Sequence, residues 1–315
     1  MNKKIRFKEW AELWLQMKSG MVKSNTFEAT YRNSIENHLI PEFGDEYIDE
    51  IIPIKLQLYI NREAIKYSTD TIKKFKSCLF QLFDEAVWNG YCEKNPCSKL
   101  KIPKKQYDLS IKQTHDRIYT IEQMNLIKEY AYSHRFGFEI RLLIETGIRR
   151  GELLGLPWKY VDFKSNVIYI RQAAALVKEN GKIKVMIGLP KTATSIRDIP
   201  ISCELAQILY EQQKKSRGNY VVSSSLGEVC NPRTWQRRHY DIFMLDMQQY
   251  YKNLGINIPI YTPHRLRHSR TSEWVNANCN LFAIAQTLGH SDLEMLRKVY
   301  AHSDIEKTRQ LLNIS

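Results

Sequence analysis

A segment without helical periodicity divides this chain, and it constrains the fold more than any other feature of the sequence. Between Asn95 and Arg117 the apolar residues no longer recur every three or four positions, and lysines cluster around Pro103. Such a stretch is typical of an extended linker. The segments on either side of it are long enough for one domain each. We therefore predict a first domain at residues 1–105, a linker at 106–117 and a second domain at 118–315.

The first part contains four helical blocks. Within each block the apolar side chains recur at helical spacing, and Pro41 is predicted to stop the second block. Because the aromatic residues also fall on helical positions, we predict that they form a core rather than a base-stacking surface. The blocks start at Phe7 and then cover Phe27 to Leu39, Pro53 to Ala64 and Ser68 to Trp88. The aromatic core residues are Trp10, Trp14, Phe27, Tyr31, Phe75, Phe80 and Phe83.

The second part combines helices with a short β region. Apolar periodicity predicts helices at Ile121–Ser133 and Arg135–Thr146, and helices resume near Ser202. Asn180-Gly181 predicts a turn between the first two strands of the β region. The fold class that we expect is mainly α with a small antiparallel β-sheet, a helical domain being followed by a mixed α/β domain. The predicted strands cover residues 166–170, 183–187 and 196–200.

The charge balance favours a polyanionic partner. Lys and Arg number 47 against 34 Asp and Glu, a formal net charge of +13, and both parts of the chain are basic. A nucleic acid is the first candidate and an anionic membrane surface the second, with a generically basic protein as the alternative. The lysines of the linker region fit either a solvated hinge or a strap across a phosphate backbone, and their density favours the strap. These predicted DNA-binding lysines are Lys99, Lys101, Lys104 and Lys105.

Several other classes of protein are disfavoured. No apolar run approaches the ~20 residues of a membrane helix, and the start of the chain has no apolar signal region. We expect a cytoplasmic protein without a membrane partner. The six cysteines include no C-x-x-C pair, which argues against a zinc ribbon, a redox motif and a disulfide framework.

The first cluster of side chains suited to catalysis or ligand binding is His264-Arg265-Leu266-Arg267-His268. On a helix, His264 and Arg267 project from one face. The i,i+4 pair of histidines could bind a metal, but Arg265 stands where a zinc protease needs glutamate, and the two arginines would repel a cation. An arginine fork beside histidine suits a phosphate better, because the fork can hold two oxygens while histidine moves a proton.

The second cluster runs from Glu145 to Leu154. Its Thr146-Gly147 turn allows a short helix to begin at Arg149, and Glu152 follows one turn later. Glu152 is then placed to orient a buried arginine through a charge-assisted pair. An exposed i,i+3 salt bridge is the alternative for this segment taken alone.

Five segments in a fixed order give a family resemblance. Together they closely resemble the tyrosine recombinase (phage integrase) family, of the kind carried by phages and conjugative transposons. The resemblance covers nearly the whole chain: residues 1–105 resemble the SAM-like core-binding domain, and residues 118–315 resemble the catalytic domain with its C-terminal tail helix. The segments are Thr146 to Leu153, Pro190-Lys191-Thr192 with Arg197 to Pro200, His264 to His268, Leu288 to Ser291, and Tyr300-Ala301-His302.

The resemblance assigns roles to individual residues. It implies that Arg149 and Arg267 clamp the phosphate, that Tyr300 is the nucleophile and that Lys191 is the mobile catalytic lysine on a hairpin turn. Supporting roles fall to Glu152, beside the first arginine, and to His268, after the second. The complete catalytic set implied is Arg149, Lys191, His264, Arg267, His290 and Tyr300.

The resemblance also implies a reaction. A member of this family cleaves and rejoins DNA through a 3′-phosphotyrosyl intermediate and a Holliday junction, integrating or excising a mobile element. It works as a homotetramer on paired double-stranded DNA sites, needs no cofactor or metal, and in some cases uses excision or host DNA-bending factors. A type IB topoisomerase-like strand exchange and a catalytically silent DNA-binding relative are the alternatives. The core-binding helices begin almost at Met1, which fits either a two-domain member or a form truncated before them.

Overall fold

The structure is a computed structural model that describes residues 4–22, 24–103, 118–179, 182–190 and 193–289. The chain divides into two compact units with separate cores. The first is built on residues 4–103, and the second on residues 118–176 and 184–289. The predicted linker at 106–117 lies outside the described residues, so the exact domain boundaries stay a prediction.

The first unit is helical, as predicted. Its second helix continues through Pro41, so the predicted stop there is wrong. The backbone changes from π-helical to α-helical hydrogen bonding just before Pro41, which places the proline in a first turn, where its missing N–H costs nothing. The helices are α1 (Phe7–Ser19), α2 (residues 24–43), α3 (Pro53–Lys66) and α4 (Thr69–Trp88).

An aromatic core holds these four helices together. Five of the seven predicted aromatic core residues are buried, and Tyr31 packs partly buried against them. The Trp10 indole also donates a hydrogen bond to the Leu82 carbonyl at 3.0 Å, which fixes α1 on α4. The prediction is wrong for Phe80, which is 40% exposed. Phe80 lies on α4 next to the core positions, on the partly exposed side of the helix.

The second unit surrounds a larger core with helices and short strands. The predicted helix at Ile121–Ser133 has the observed bounds, because Thr120 and Gln123 form a capping box at its start. The helices are α5 (Ile121–Ser133), α6 (Gly137–Thr146), α7 (Arg150–Leu154), α8 (Cys203–Lys215), α9 (residues 232–253), α10 (Pro263–Asn276) and α11 (Leu281–Leu288).

The β region differs from the prediction in its pairing. Strand β2 (Val167–Ile170) pairs antiparallel with β1 (Val161–Asp162) on one side and with β5 (Arg197–Pro200) on the other. A separate two-stranded sheet joins β3 (Ala173–Glu179) to β4 (Lys182–Gly188). The prediction that the Asn180-Gly181 turn connects β2 to β4 is therefore wrong. Strand β3 was missed because its Ala173-Ala174-Ala175 run lacks the β-branched residues that indicate a strand.

Two further sequence predictions bear on the class of protein. In the part of the chain that the structure describes, no helix is long and apolar enough to cross a membrane. All six cysteines are free thiols; Cys203 and Cys279 are exposed and the other four are buried. Among the same described residues no cluster of three or more His, Cys, Asp or Glu side chains could hold a metal ion, so the pair His264/His268 gains no third ligand there.

Candidate active site

Glu152 holds Arg149 by both its backbone and its side chain. Helix α6 ends at Thr146, and the following Gly147, with a φ of +63°, turns the chain so that Arg149 becomes the residue preceding α7. The Arg149 backbone N–H donates to Glu152 Oε2 at 2.8 Å, and its Nη1 donates to Oε1 at 2.8 Å. Glu152 is only 2% exposed, so the predicted charge-assisted pair is present on a buried carboxylate, but the arginine is not buried as predicted, since 36% of the Arg149 side chain is exposed.

Arg267 is buried against the same turn. It lies on α10 with 3% of its surface exposed, and its Nη1 donates to the Gly147 carbonyl at 2.7 Å. Burial, followed by the nearby charge of Arg149, lowers the pKa of the Arg267 guanidinium to about 9. An anion bound beside the Arg267 guanidinium would stabilise its charged form.

Three arginines from three elements meet at the C-terminus of α11. Arg197 Nε donates to the Thr287 carbonyl at 2.5 Å, Arg267 Nη2 to the Leu288 carbonyl at 2.6 Å, and Arg149 Nη2 to the Gly289 carbonyl at 3.3 Å. We call these three residues the arginine triad. The last carbonyls of a helix carry partial negative charge, which favours cations at this end. The triad thus fixes the turn that leads into His290.

Arg197 is the residue of this site to which the sequence analysis gave no role. It is 5% exposed and binds Glu152 with both terminal nitrogens, Nη1 to Oε1 at 3.0 Å and Nη2 to Oε2 at 2.8 Å. Its signal was present in the sequence: on β5, positions 197 and 199 face inward. An arginine that faces inward on the same side of a strand as Ile199 needs a buried anionic partner, because an unpaired buried charge is costly.

The two histidines of α10 stay neutral near pH 7. Their rings lie 4.6 Å apart at 85°. Desolvation, and after it the charges of Arg267, Arg149 and Arg265, lower the pKa of His264 below its ordinary value. Desolvation, and after it His264, Arg265 and Arg267, lower the pKa of His268 to about 4. A neutral His264 on the exposed side of α10 can accept a proton, which is what a general base requires.

Acidification should destabilise the fold through His268. Its folded-state pKa of about 4 lies below the ordinary 6.5, so the unfolded chain takes up the proton first as the pH falls. The contribution of His268 to the free energy of unfolding is complete above pH 6.5 and is lost as the pH falls from 6.5 to about 4. From pH 7 to pH 5 this group should cost about 1–2 kcal/mol of unfolding free energy, allowing for its partial exposure. Urea unfolding should show a smaller pH dependence in His268→Gln, and an equal dependence would contradict the assignment.

The structure places some predicted residues and not others. Lys99 and Lys101 are exposed at the end of the first unit, and the backbone of Lys101 is held by the Gln57 amide through two hydrogen bonds of 2.8 Å. Tyr251, which could have competed for the role of nucleophile, is buried and donates its hydroxyl to the Leu126 carbonyl at 2.8 Å. The predicted residues that lie outside the described part of the chain are Lys104, Lys105, Lys191, His290 and Tyr300.

The site combines arginines fixed by hydrogen bonds to main-chain carbonyls with the neutral His264, which lies on the same helix as Arg267. Such a combination is suited to an anion such as a phosphate group. The pattern of the phage integrase family matches residues 112–307, and that of its N-terminal SAM-like domain matches residues 6–64. The chain therefore belongs to the phage integrase family, and it is a tyrosine recombinase, an enzyme that cleaves and rejoins DNA strands.

Similar proteins come from bacteria and their mobile elements. A tyrosine recombinase XerC-like protein of Caldanaerobacter subterraneus is 28% identical over 88% of this chain and 73% of its own length. The transposase of transposon Tn916 from Enterococcus faecalis is 25% identical over 84% of this chain and 66% of its own length. In fold, the chain resembles the Tn1549 transposon integrase solved with circular intermediate DNA, with a TM-score of 0.74, 22% identity and coverage of 98% and 99%.

Proposed function

We propose that this protein is the site-specific recombinase of a mobile genetic element and integrates or excises that element by exchanging DNA strands. The observation that carries the proposal is that Arg149 and Arg267 are held at consecutive carbonyls at the end of α11, those of Gly289 and Leu288, while Glu152 also binds Arg149. We assign both guanidinium groups to one phosphate. The relatives support a role on a mobile element, since they include the integrase of Staphylococcus phage L54a and the Tn916 transposase.

The proposed reaction is a transesterification at one phosphodiester. The Tyr300 oxygen attacks phosphorus, the bond to the 5′-oxygen breaks, and a 3′-phosphotyrosyl ester forms. A tyrosine hydroxyl has an ordinary pKa of ~10, so it must lose a proton as it attacks, and the neutral His264 accepts that proton. The leaving 5′-oxygen takes up a proton from Lys191, which we assign as the general acid.

The arginines stabilise the charge that develops during this step. Arg149 and Arg267 hold the non-bridging oxygens, and His290 donates a further hydrogen bond to them. A free 5′-hydroxyl from the partner duplex then reverses the step on the exchanged strand. Because one phosphate ester replaces another, the bond energy is retained and the proposed reaction needs neither a nucleotide nor a metal ion.

Recombination joins two DNA sites, so we propose that a homotetramer forms on paired sites. A lambda integrase tetramer bound to a Holliday junction has a fold similar to this chain, with a TM-score of 0.62 and 16% identity. We assign backbone contacts with DNA to Lys99, Lys101, Lys104 and Lys105, which extends the interface beyond the catalytic centre.

Covalent capture of DNA tests the proposal. The substrate is DNA from the two ends of the element that carries the gene, nicked near the exchange position so that the released fragment diffuses away. In EDTA, the wild type should form a protein–DNA adduct that survives denaturing electrophoresis. DNA of the same length and composition but scrambled sequence is the control. Absence of an adduct on every end sequence, or an adduct that strictly requires magnesium, would contradict the proposal.

A further inference from the structure

We propose that Arg197 is a positioning residue for strand cleavage. It locks Glu152 and the C-terminal turn of α11 in the arrangement in which Arg149 meets the phosphate. The inference rests on the proposed function, in which Arg149 binds the phosphate, and it concerns the contacts that hold Arg149 in position. Arg197 does not itself reach a substrate: it is 5% exposed, and its Nε, Nη1 and Nη2 all donate to protein acceptors.

The first step is the saturation of Glu152. Each carboxylate oxygen accepts two hydrogen bonds, one from Arg149 and one from Arg197. Two carboxylate oxygens offer about four acceptor sites, so every site is used and the carboxylate cannot rotate without losing bonds. Without Arg197, Glu152 would keep only its two bonds to Arg149. The shortest side-chain hydrogen bond of Arg149, at 2.8 Å, would then be made to a carboxylate that is free to turn, and only the longer contacts with Gly289 and Ser195 would remain fixed.

The second step concerns charge. Glu152 carries one negative charge between two guanidinium groups, Arg149 at 2.8 Å and Arg197 at 2.8 Å. Sharing the carboxylate with Arg197 limits how strongly Glu152 can hold Arg149. If Arg197 were absent, both carboxylate oxygens could turn toward the Arg149 fork and compete with the phosphate for it. The expected loss is therefore in the rate of the chemical step more than in DNA affinity.

The third step is the link to α11. Arg197 Nε binds the Thr287 carbonyl at 2.5 Å and its Nη1 binds the Ser195 carbonyl at 2.9 Å. The stem of the side chain packs against the following turn, since a Cβ on Gly289 would lie 3.2 Å from Arg197 Cδ. One side chain thus joins β5, the carboxylate of α7 and the turn that precedes His290. Removing it would loosen both Glu152, which holds Arg149, and the turn at Gly289.

A matched pair of variants tests this role. Arg197→Met and Arg197→Lys are compared with Arg141→Met, because Arg141 is also buried, at 4% exposure, and also binds two carboxylates, Glu145 and Glu204. Single-turnover cleavage is measured at saturating nicked DNA, below the melting temperature of each variant. We expect Arg197→Met to cleave at least about 100-fold more slowly, with half-site affinity within about 3-fold. Arg197→Lys should lose at least about 10-fold, since lysine cannot bridge both partners.

The control should lose less than about 3-fold once the folded fraction is taken into account. Equal rates for Arg197→Met and Arg141→Met would overturn the proposal, since burial of an arginine would then explain the whole effect. If Arg197→Met does not fold, Arg197→Lys decides in the same way. Failure of the wild type and of Arg141→Met to form any adduct would instead overturn the proposed function.

A double-mutant cycle shows whether Arg197 acts through Arg149. In the Arg149→Lys background the geometry that Arg197 protects is already lost. Adding Arg197→Met should then slow cleavage by less than about 3-fold, far less than the roughly 100-fold expected when Arg149 is intact. Independent, multiplicative effects would overturn the positioning role.

Discussion

Replacing Tyr300 with phenylalanine should abolish covalent attachment to DNA, by roughly 10⁴-fold or more, because the attacking oxygen is removed. Binding to a single half-site should change by less than about 2-fold. One hydroxyl adds little to an interface whose affinity comes from many phosphate contacts. The measurement is the covalent capture assay on nicked DNA, run beside a gel-shift titration of the same half-site.

Tyr250→Phe is the matched control for this experiment. Tyr250 is half exposed on α9, and loss of its hydroxyl should leave both adduct formation and binding unaltered. An adduct that persists at the wild-type rate in Tyr300→Phe would place the nucleophile elsewhere in the chain. Loss of binding together with the adduct would mean that the substitution has disturbed the fold.

Replacing Arg267 with lysine should slow cleavage by roughly 10²–10³-fold although the charge is kept. The guanidinium spans two carbonyls, Gly147 at 2.7 Å and Leu288 at 2.6 Å, and still has to meet the phosphate. A single ammonium group cannot reproduce that fork, so either the anchoring or the phosphate contact is lost. The cost corresponds to about 3–4 kcal/mol of transition-state stabilisation. Single-turnover kinetics at saturating DNA provide the measurement.

Arg270→Lys on the same helix provides the comparison. Arg270 pairs with Glu273 at 2.8 Å on a partly exposed face of α10, and its replacement should change the cleavage rate by less than about 3-fold. A rate for Arg267→Lys equal to that of Arg270→Lys would show that position 267 needs only a positive charge, and the two-carbonyl anchoring would then have no catalytic consequence.

Local signals made most helices predictable. Ser68 caps α4 by accepting a hydrogen bond from the Thr71 N–H, and Pro53 opens α3, so both starts can be recognised within four residues of sequence. The strand at Ala173–Glu179 could not be found in this way. Three consecutive alanines carry no preference for a strand, and pairing with β4 supplies what the local sequence lacks.

The site was predictable only where its contacts are local. Arg149 and Glu152 are three residues apart, so their pairing follows from the geometry of one helical turn. The contact of Arg149 with the Gly289 carbonyl spans 140 residues, and that of Arg197 with Thr287 spans 90. No periodicity links positions so distant. The acceptors are backbone carbonyls, which every residue type has, so the sequence carries no specific residue to mark them.

The acceptors of the arginine triad have a consequence for how such a protein can evolve. The triad donates hydrogen bonds to the main-chain oxygens of positions 287, 288 and 289. These bonds therefore do not depend on the side chain at position 287. Mutations at that partly exposed position can accumulate without altering the three contacts. At Gly289 that freedom ends, since a Cβ there would lie 2.9 Å from the Thr194 carbonyl oxygen. The same turn thus offers lineages one position to diversify beside one that they must keep.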